Sequence, residues 1–456
     1  MNDHLLLAAT SLLNVSYRSL IPLIVGLGFV TLLIILGRVP VRYNVRNLSV
    51  RWRSTLMTAM AFTMVVALMT VMLAFVNGMY KLTEQSGHPG NVMILSEGAT
   101  DEAFSNLGFA NVGNLELVAG ILRDEQTNQP LSSREAYIVC NQLVVDPAPG
   151  RPRRRIVQIR GIEDPAMSAR VHGMELLAGS WFSQNGVIEI APGQPPAVQA
   201  VVGEGLAREL GRDRQKSLLA TARNKDRLDV GDVFPLGEEM LSIVGIIKAT
   251  GSTFDSEIWA KRERIGASFG EDNYSTITVR TAGPAAAKQL KEFFNNDYQD
   301  AALQAYTETE YFESLARTNM QFLIATIVVT GILSIGGVFG VMNTMFATVS
   351  QRSKDIGVLR ILGFSRLEVL YTFLLESLAL ALFGGTLGCL LGCLAHGIRA
   401  TSVVSGGQSS KTVVLELLVS AETISIGLLV TLLMGLLGGL IPSLLAMRLR
   451  PLESLR

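Results

Sequence analysis

The sequence is poor in charge. Asp, Glu, Lys and Arg make up 17% of its 456 residues, against about 25% in an average soluble protein. The 39 basic and 39 acidic residues cancel, so no general attraction to nucleic acid follows and none is expected as a partner. Cysteine is scarce. Cys140, Cys389 and Cys393 cannot build a disulfide framework, and the last two read as small packing residues at helical spacing in an apolar run. Histidine is scarce too: of four, His88 and His172 lie in the long stretch between the second and third apolar runs, and neither has ligand-spaced neighbours, so no metal site is expected. No Ser-His-Asp, HExxH or GxSxG arrangement appears, so no catalytic residue is assigned. Hydrophobic residues, in contrast, reach 49%, with 43 glycines and a mean hydropathy of +0.36. This balance excludes a disordered or collagen-like chain and an ordinary soluble enzyme. It describes a membrane protein with a sizeable soluble part.

A membrane helix needs roughly 20 apolar residues. Five runs lack acidic and basic residues, at 19–37, 54–80, 318–351, 377–398 and 423–447. The first reads as a spanning segment rather than a signal peptide, because Asp3, His4 and Arg18 make no basic leader and no small-x-small cleavage site follows. Cations in short loops set the orientation. Arg38, Arg42, Arg46, Arg51 and Arg53 place 38–53 in the cytoplasm, where Val41, Val45, Leu48 and Trp52 form the apolar side of a basic amphipathic helix on the lipid headgroups. The expected order is an extra N-terminal span within 1–37, that amphipathic helix, a span at 54–80 and an extracytoplasmic domain at 81–317. A span at 318–350, a cytoplasmic elbow at 351–368, a span at 369–398, an outer loop at 399–422, a span at 423–447 and a cytoplasmic tail at 448–456 complete it.

The fold class is therefore an α-helical membrane protein of about five spans with a large extracytoplasmic α+β domain. In that domain Val- and Ile-rich pieces bounded by Gly, Pro and Asp predict strands at 91–95, 137–139, 155–160, 187–190, 241–247 and 275–279. Helices are predicted at 204–210 and 284–294. The arginines of 151–155 read as a solvated turn. In the outer loop, 404–408 imitates the signature segment of transport ATPases and 409–412 the end of a phosphate-binding loop. Ser410 stands where that loop requires glycine, and no strand precedes it. Nucleotide binding by this chain is not expected.

The elbow is the most legible segment. A short helix is expected over 356–362, ended by Gly363 in the left-handed conformation. Ser365 fits an N-cap with Glu368 as its capping-box partner. Ile356, Leu359 and Gly363 share one helical face, read as a docking surface, with Arg352, Lys354 and Arg360 at its rim. Glu376, roughly 10 residues into the following span, reads as a structural partner of an elbow arginine.

With these residues in view, the elbow resembles the coupling region of the FtsX-like/MacB-like permease family, whose pattern is R-x-x-E-I-G-x-L-R-A-L-G. Arg352, Asp355 (for Glu), Ile356, Gly357, Leu359, Arg360, Ile361 (for Ala), Leu362 and Gly363 follow it. Pro442, Ala446, Pro451, Leu455 and Arg456 match the family's ending, with Ser443 replacing an Ala. Residues 47–58 resemble its N-terminal approach. In the outer domain, Val202-Gly203-Glu204, Val230-Gly231-Asp232, Val244-Gly245-Ile246 and the segment 251–255 resemble the MacB-type periplasmic domain. The span at 19–37 and an insertion at 212–227 depart from the usual pattern.

The resemblance implies the permease subunit of a mechanotransmission-type ABC transporter in the inner (cytoplasmic) membrane. Its partners would be a cytoplasmic ATPase subunit, a second permease copy or paralogue forming a dimer, membrane lipids and a periplasmic adaptor. ATP and Mg would sit on the ATPase, with no cofactor on this chain, and the cargo would be a lipoprotein, lipid, peptide or drug. Two other readings stay open: an FtsX-like regulator or scaffold without transport, and a secondary transporter, against which the spans lack a central charged cluster.

Overall fold

A computed structural model of the chain describes residues 52–144, 154–190, 192–193, 195–212, 223–298, 300–315, 317–406 and 409–448, with isolated positions between 24 and 50. The elements begin with α1 (Trp52–Ser86), β1 (Asn91–Ser96), β2 (Ser132–Leu143), β3 (Arg154–Ile162), α2 (Pro165–His172), β4 (Leu176–Gly179), β5 (Val187–Ile188), β6 (Ala197–Gly203) and α3 (Glu204–Arg212). They continue with β7 (Val233–Leu236), β8 (Glu239–Ile247), β9 (Glu257–Lys261), α4 (Arg262–Phe269), β10 (Thr276–Arg280), α5 (Pro284–Asn296), β11 (Leu303–Thr307) and α6 (Glu308–Leu315). The last are α7 (Arg317–Gln351), α8 (Ser353–Ile361), α9 (Arg366–Cys393), β12 (Arg399–Gly406), β13 (Ser409–Glu416) and α10 (Ala421–Arg448). They form two compact units, one of residues 1–78, 321–398 and 416–456, the other of 79–320 and 399–415.

In the first unit, α1, α7, α9 and α10 are long and apolar enough to cross a membrane. The described positions between 24 and 35 are helical, inside the segment expected to add a span. The remainder of 19–37, almost all of the amphipathic segment at 38–53 and the tail beyond Arg448 lie outside the described residues. Helix packing without a hydrophobic driving force depends on small residues that let backbones approach, and α9 shows this on two faces. An ideal Cβ added to Gly384 would stand 2.6 Å from the Ala59 carbonyl oxygen, and one on Gly388 2.7 Å from that of Thr63. On the other face Gly385 meets Thr431, while Gly435 and Gly439 of α10 meet Ala381 and Ser377. A buried cluster including Phe62, Val341, Met345, Ile356, Phe373 and Met434 fills the centre. The helix α7 leaves much of its surface outside this cluster, with Ile327, Ile332, Ile335 and Phe339 exposed.

The second unit is built on an 11-stranded sheet in the order β11-β1-β10-β2-β3-β9-β6-β8-β4, with β5 paired to β6 and β7 to β8. The β3–β9 and β6–β8 pairs are parallel, and the other ladders of the sheet are antiparallel. One core joins β1, β10 and β11 to α5 through Ile94, Ile277, Val279, Leu290 and Phe294. Another joins β6 and β8 to α3 and α4 through Val202, Leu206, Ile243 and Ile265. Local chemistry sets the helix ends. Asp164 caps α2 by accepting from the Ala166 and Met167 amides, Pro165 opens it, and Gly173 closes it at φ 68°.

Several boundaries differ from expectation. The third spanning helix begins at Arg366 and stops at Cys393 rather than running over 369–398, because the chain turns at Gly397 (φ 78°) into paired strands. The expected outer loop at 399–422 is largely the β12–β13 ladder, whose Val413 and Leu415 are buried. Ser409 to Thr412, the imitation of a phosphate-binding loop, lie on strand β13. Strand β3 opens at Arg154, one residue before the predicted strand at 155–160, so Arg154 does not belong to the expected turn.

Candidate functional site

The elbow is built by two reciprocal motifs. Helix α8 ends at Ile361 with Leu362 as its C-cap, and Gly363 takes φ 96°. The Phe364 amide donates to the Leu359 carbonyl at 3.2 Å and the Gly363 amide to that of Arg360 at 3.3 Å. This is a Schellman motif. The Arg360 guanidinium adds a bond of 2.8 Å to the Phe364 carbonyl. Ser365 then caps α9 by accepting from the Glu368 amide at 3.3 Å, while the Glu368 carboxylate accepts from the Ser365 amide at 2.6 Å. Both halves of a capping box are present, so the segment between the helices has no loose backbone.

A buried charge pair fixes the elbow to the bundle. Arg352, just before α8, donates from Nη1 to Oε2 of Glu376 on α9 at 2.9 Å. Its guanidinium lies 5.1 Å from the centre of the Phe373 ring, and Asp355 stands 3.8 Å from Nε.

The exposed face of α8 is not the one that spacing suggested. Ile356 is 1% exposed and packs in the cluster that holds Val369, Phe373 and Ala446. Gly357 is buried beside it, and Leu359 and Arg360 are half-buried. The residues turned outward are Val358, Ile361 (61% exposed), Leu362 (71%) and Leu367, flanked by exposed Lys354, Asp355 and Arg366. Spacing placed Ile356, Leu359 and Gly363 on one docking face; in the structure Ile356 is buried, Leu359 is half-buried, and Gly363 lies past the helix end and is exposed, so the three do not form the outward face.

A second feature of the same unit is an apolar cavity of about 560 Å³ among α1, α7 and α10, lined by residues including Met69, Leu73, Thr326, Phe339, Val430 and Leu437.

The outer domain holds a charge cluster that motif reading missed. Arg160, 1% exposed, donates to Glu257 at 2.7 Å, to Glu102 at 2.8 Å and to Glu135. The same Glu135 meets Nε2 of His172 at 2.6 Å, and Nδ1 of His172 meets Glu308 at 3.0 Å. Burial alone lowers the imidazole pKa, but the Glu135 charge and the hydrogen bonds to Glu135 and Glu308 outweigh it and push it up to about 10. Burial likewise raises the Glu135 pKa, and Arg160 and His172 reverse this to hold it below the usual carboxylate range. The only local signal was Arg160 at the end of the predicted strand 155–160; Glu102, Glu135, His172, Glu257 and Glu308 lie outside the predicted strands, and the pairing itself is long-range.

Comparison with known proteins agrees with both halves. The model of the FtsX-like permease C-terminal region matches residues 327–451, and that of the MacB-like periplasmic core domain matches residues 55–295. An uncharacterised ABC transporter permease of Methanocaldococcus jannaschii is 28% identical over 62% of this chain and 66% of its own length. The uncharacterised ABC transporter permease YknZ of Bacillus subtilis is 26% identical over 65% of this chain and 69% of its own. The macrolide export ATP-binding/permease protein MacB of Burkholderia cenocepacia is 23% identical over 80% of this chain. The chain spans about two thirds of the length of the first two and 53% of the third. With four candidate spans among the described residues and a large outer domain, it is a multi-pass protein of the cell membrane. The chain belongs to the FtsX-like/MacB-like family of ABC transporter permeases.

Proposed function

We propose that this chain couples ATP hydrolysis on a separate cytoplasmic ATPase to movement of its spanning helices and outer domain, for export or extraction of a hydrophobic cargo. The observation that carries the reading is the elbow: a capped, rigid projection whose outward face is apolar at Val358, Ile361, Leu362 and Leu367. Docked in a cleft of an ATPase, Ile361 and Leu362 would each contribute roughly 1.5–3 kcal/mol, with Lys354 and Arg366 steering the approach. The cavity among α1, α7 and α10 supports an apolar cargo. Ion-coupled transport lacks support: the Glu376 carboxylate is engaged by Arg352. A second copy of the chain and a periplasmic adaptor are the further partners proposed.

The test is the double substitution Ile361→Asp with Leu362→Asp. Both residues are exposed, so membrane insertion and thermal stability should stay at wild-type levels. Co-purification of an ATP-hydrolysing subunit from native membranes should be lost. Retained co-purification and hydrolysis would remove the elbow as the coupling surface. Ile356→Asp serves as contrast: it should lower thermal stability, because it places a carboxylate inside the bundle core.

A further inference from the structure

Two of the chain segments that connect the outer domain to spanning helices run side by side at one carboxylate. The first leaves α1 at Ser86 and reaches β1 through residues 87–90. The second is α6, which begins at Glu308 and leads into α7. The His88 amide donates to Oε2 of Glu308 at 2.7 Å, and Nδ2 of Asn91 donates to the same oxygen at 2.9 Å. Gly87 makes the close approach that these bonds need: an ideal Cβ there would stand 3.0 Å from the Thr309 backbone.

The other oxygen of Glu308 faces inward, to Nδ1 of His172 at 3.0 Å. That ring bridges onward to Glu135 on β2 at 2.6 Å, and Glu135 shares Arg160 of β3 with Glu257 of β9 and Glu102. Only a doubly protonated imidazole offers a donor to each of two carboxylates. Arg280 completes the surroundings, donating from Nε to Asn91 Oδ1 at 3.2 Å. Every one of these side chains except His88 and Arg280 is buried.

We propose that Glu308 is a positioning residue for coupling: it clamps these two membrane connections to each other and, through His172, to the central sheet. A pull on α1 or α7 then moves the sheet as one body instead of fraying the connections. An apolar side chain at 308 would fill the space equally well, but it would leave the His88 amide, the Asn91 amide and the imidazolium without their common acceptor. The proposal rests on the coupling function argued above, but its measurement requires neither ATPase nor cargo, so either can fail alone.

The experiment uses the full chain in lipid nanodiscs, with Cys140, Cys389 and Cys393 replaced by serine. Spin labels at Glu84 and Glu313, exposed on α1 and α6, report the connections. Labels at Glu238 and Lys288, also exposed, report the sheet and its helices. Glu308→Gln should broaden the 84–313 distance distribution at least twofold and leave the 238–288 distribution as in the parent. An unchanged 84–313 distribution would overturn the clamp. Broadening of both pairs together would also overturn it, since Glu308 would then serve the fold as a whole. If Glu308→Gln does not accumulate, Glu308→Asp is read by the same criteria; it keeps the charge but cannot reach both sides.

Discussion

Arg352 and Glu376 meet at 2.9 Å with their side chains only 4% and 5% exposed, which joins the start of the elbow to a spanning helix by a buried ion pair. Such a pair costs desolvation on both sides, and its value lies in what happens when half of it is removed. One turn on, Ile356 is buried in the bundle core, while Leu362 at the far end is exposed.

Glu376→Ala removes the buried partner of Arg352 and leaves the exposed Asp355 at 3.8 Å, which should destabilise the membrane unit by about 3–5 kcal/mol. The paired change Arg352→Met with Glu376→Leu should recover most of that loss. Thermal unfolding in detergent of the parent and both variants measures it. Equal losses in the single and double variants would show that the pair carries no coupling energy.

The parts legible in the sequence were those whose cause is local. Hydropathy marked four spanning helices now seen among the described residues, and Gly363, Ser365 and Glu368 announced the elbow because caps act over three or four residues. The Glu308–His172–Glu135–Arg160 cluster was not legible, since it needs β2, β3, β9, α2 and α6 assembled before any charge finds its partner. The β12–β13 ladder was hidden by Ser, Gly and Thr that read as loop; alternation at Val413 and Leu415, both buried, was the available hint.

Gly363 sits at φ 96° with no atom within 4 Å of an added Cβ. Gly363→Ala therefore meets no clash, and its cost is conformational, about 1–2 kcal/mol. Ser365→Ala removes one half of the capping box and should cost about 1 kcal/mol. Hydrogen exchange across 353–368 should rise in both variants while exchange in α10 stays unchanged. Unaltered exchange in the elbow would mean that the caps do not hold it.

His172 gives the outer domain a pH signature. Its pKa is raised from 6.5 to about 10, so the folded state holds the proton more tightly than the unfolded chain. This stabilisation is complete below about pH 6.5 and is lost as pH rises through about 10. Glu135 has a lowered pKa, so its contribution is lost toward acid. The fluorescence of Trp259, whose ring centre lies 6.1 Å from that of His172, reports unfolding at the cluster. The melting temperature should fall steadily from pH 6.5 to 10, and His172→Gln should flatten that slope. A variant with the same slope would place the titrating group elsewhere.

A close backbone contact between α1 and α9 supplies the last prediction. A Cβ on Gly388 would lie 2.7 Å from the Thr63 carbonyl oxygen and 2.8 Å from Val66 Cβ. The first of these obstacles is backbone, so no rotamer change can relieve it. Gly388→Leu must push α1 and α9 apart, at about 1–3 kcal/mol or more. Gly336 on α7 is the control: nothing lies within 4 Å of an added Cβ there, and the residue is exposed. Gly336→Leu should leave stability unchanged or raise it by up to about 1 kcal/mol through helix propensity. The comparison is thermal unfolding of both variants in the same detergent. If Gly388→Leu unfolds no earlier than Gly336→Leu, α1 and α9 are not held by glycine-mediated backbone contact, and the packing account of this bundle fails at that contact.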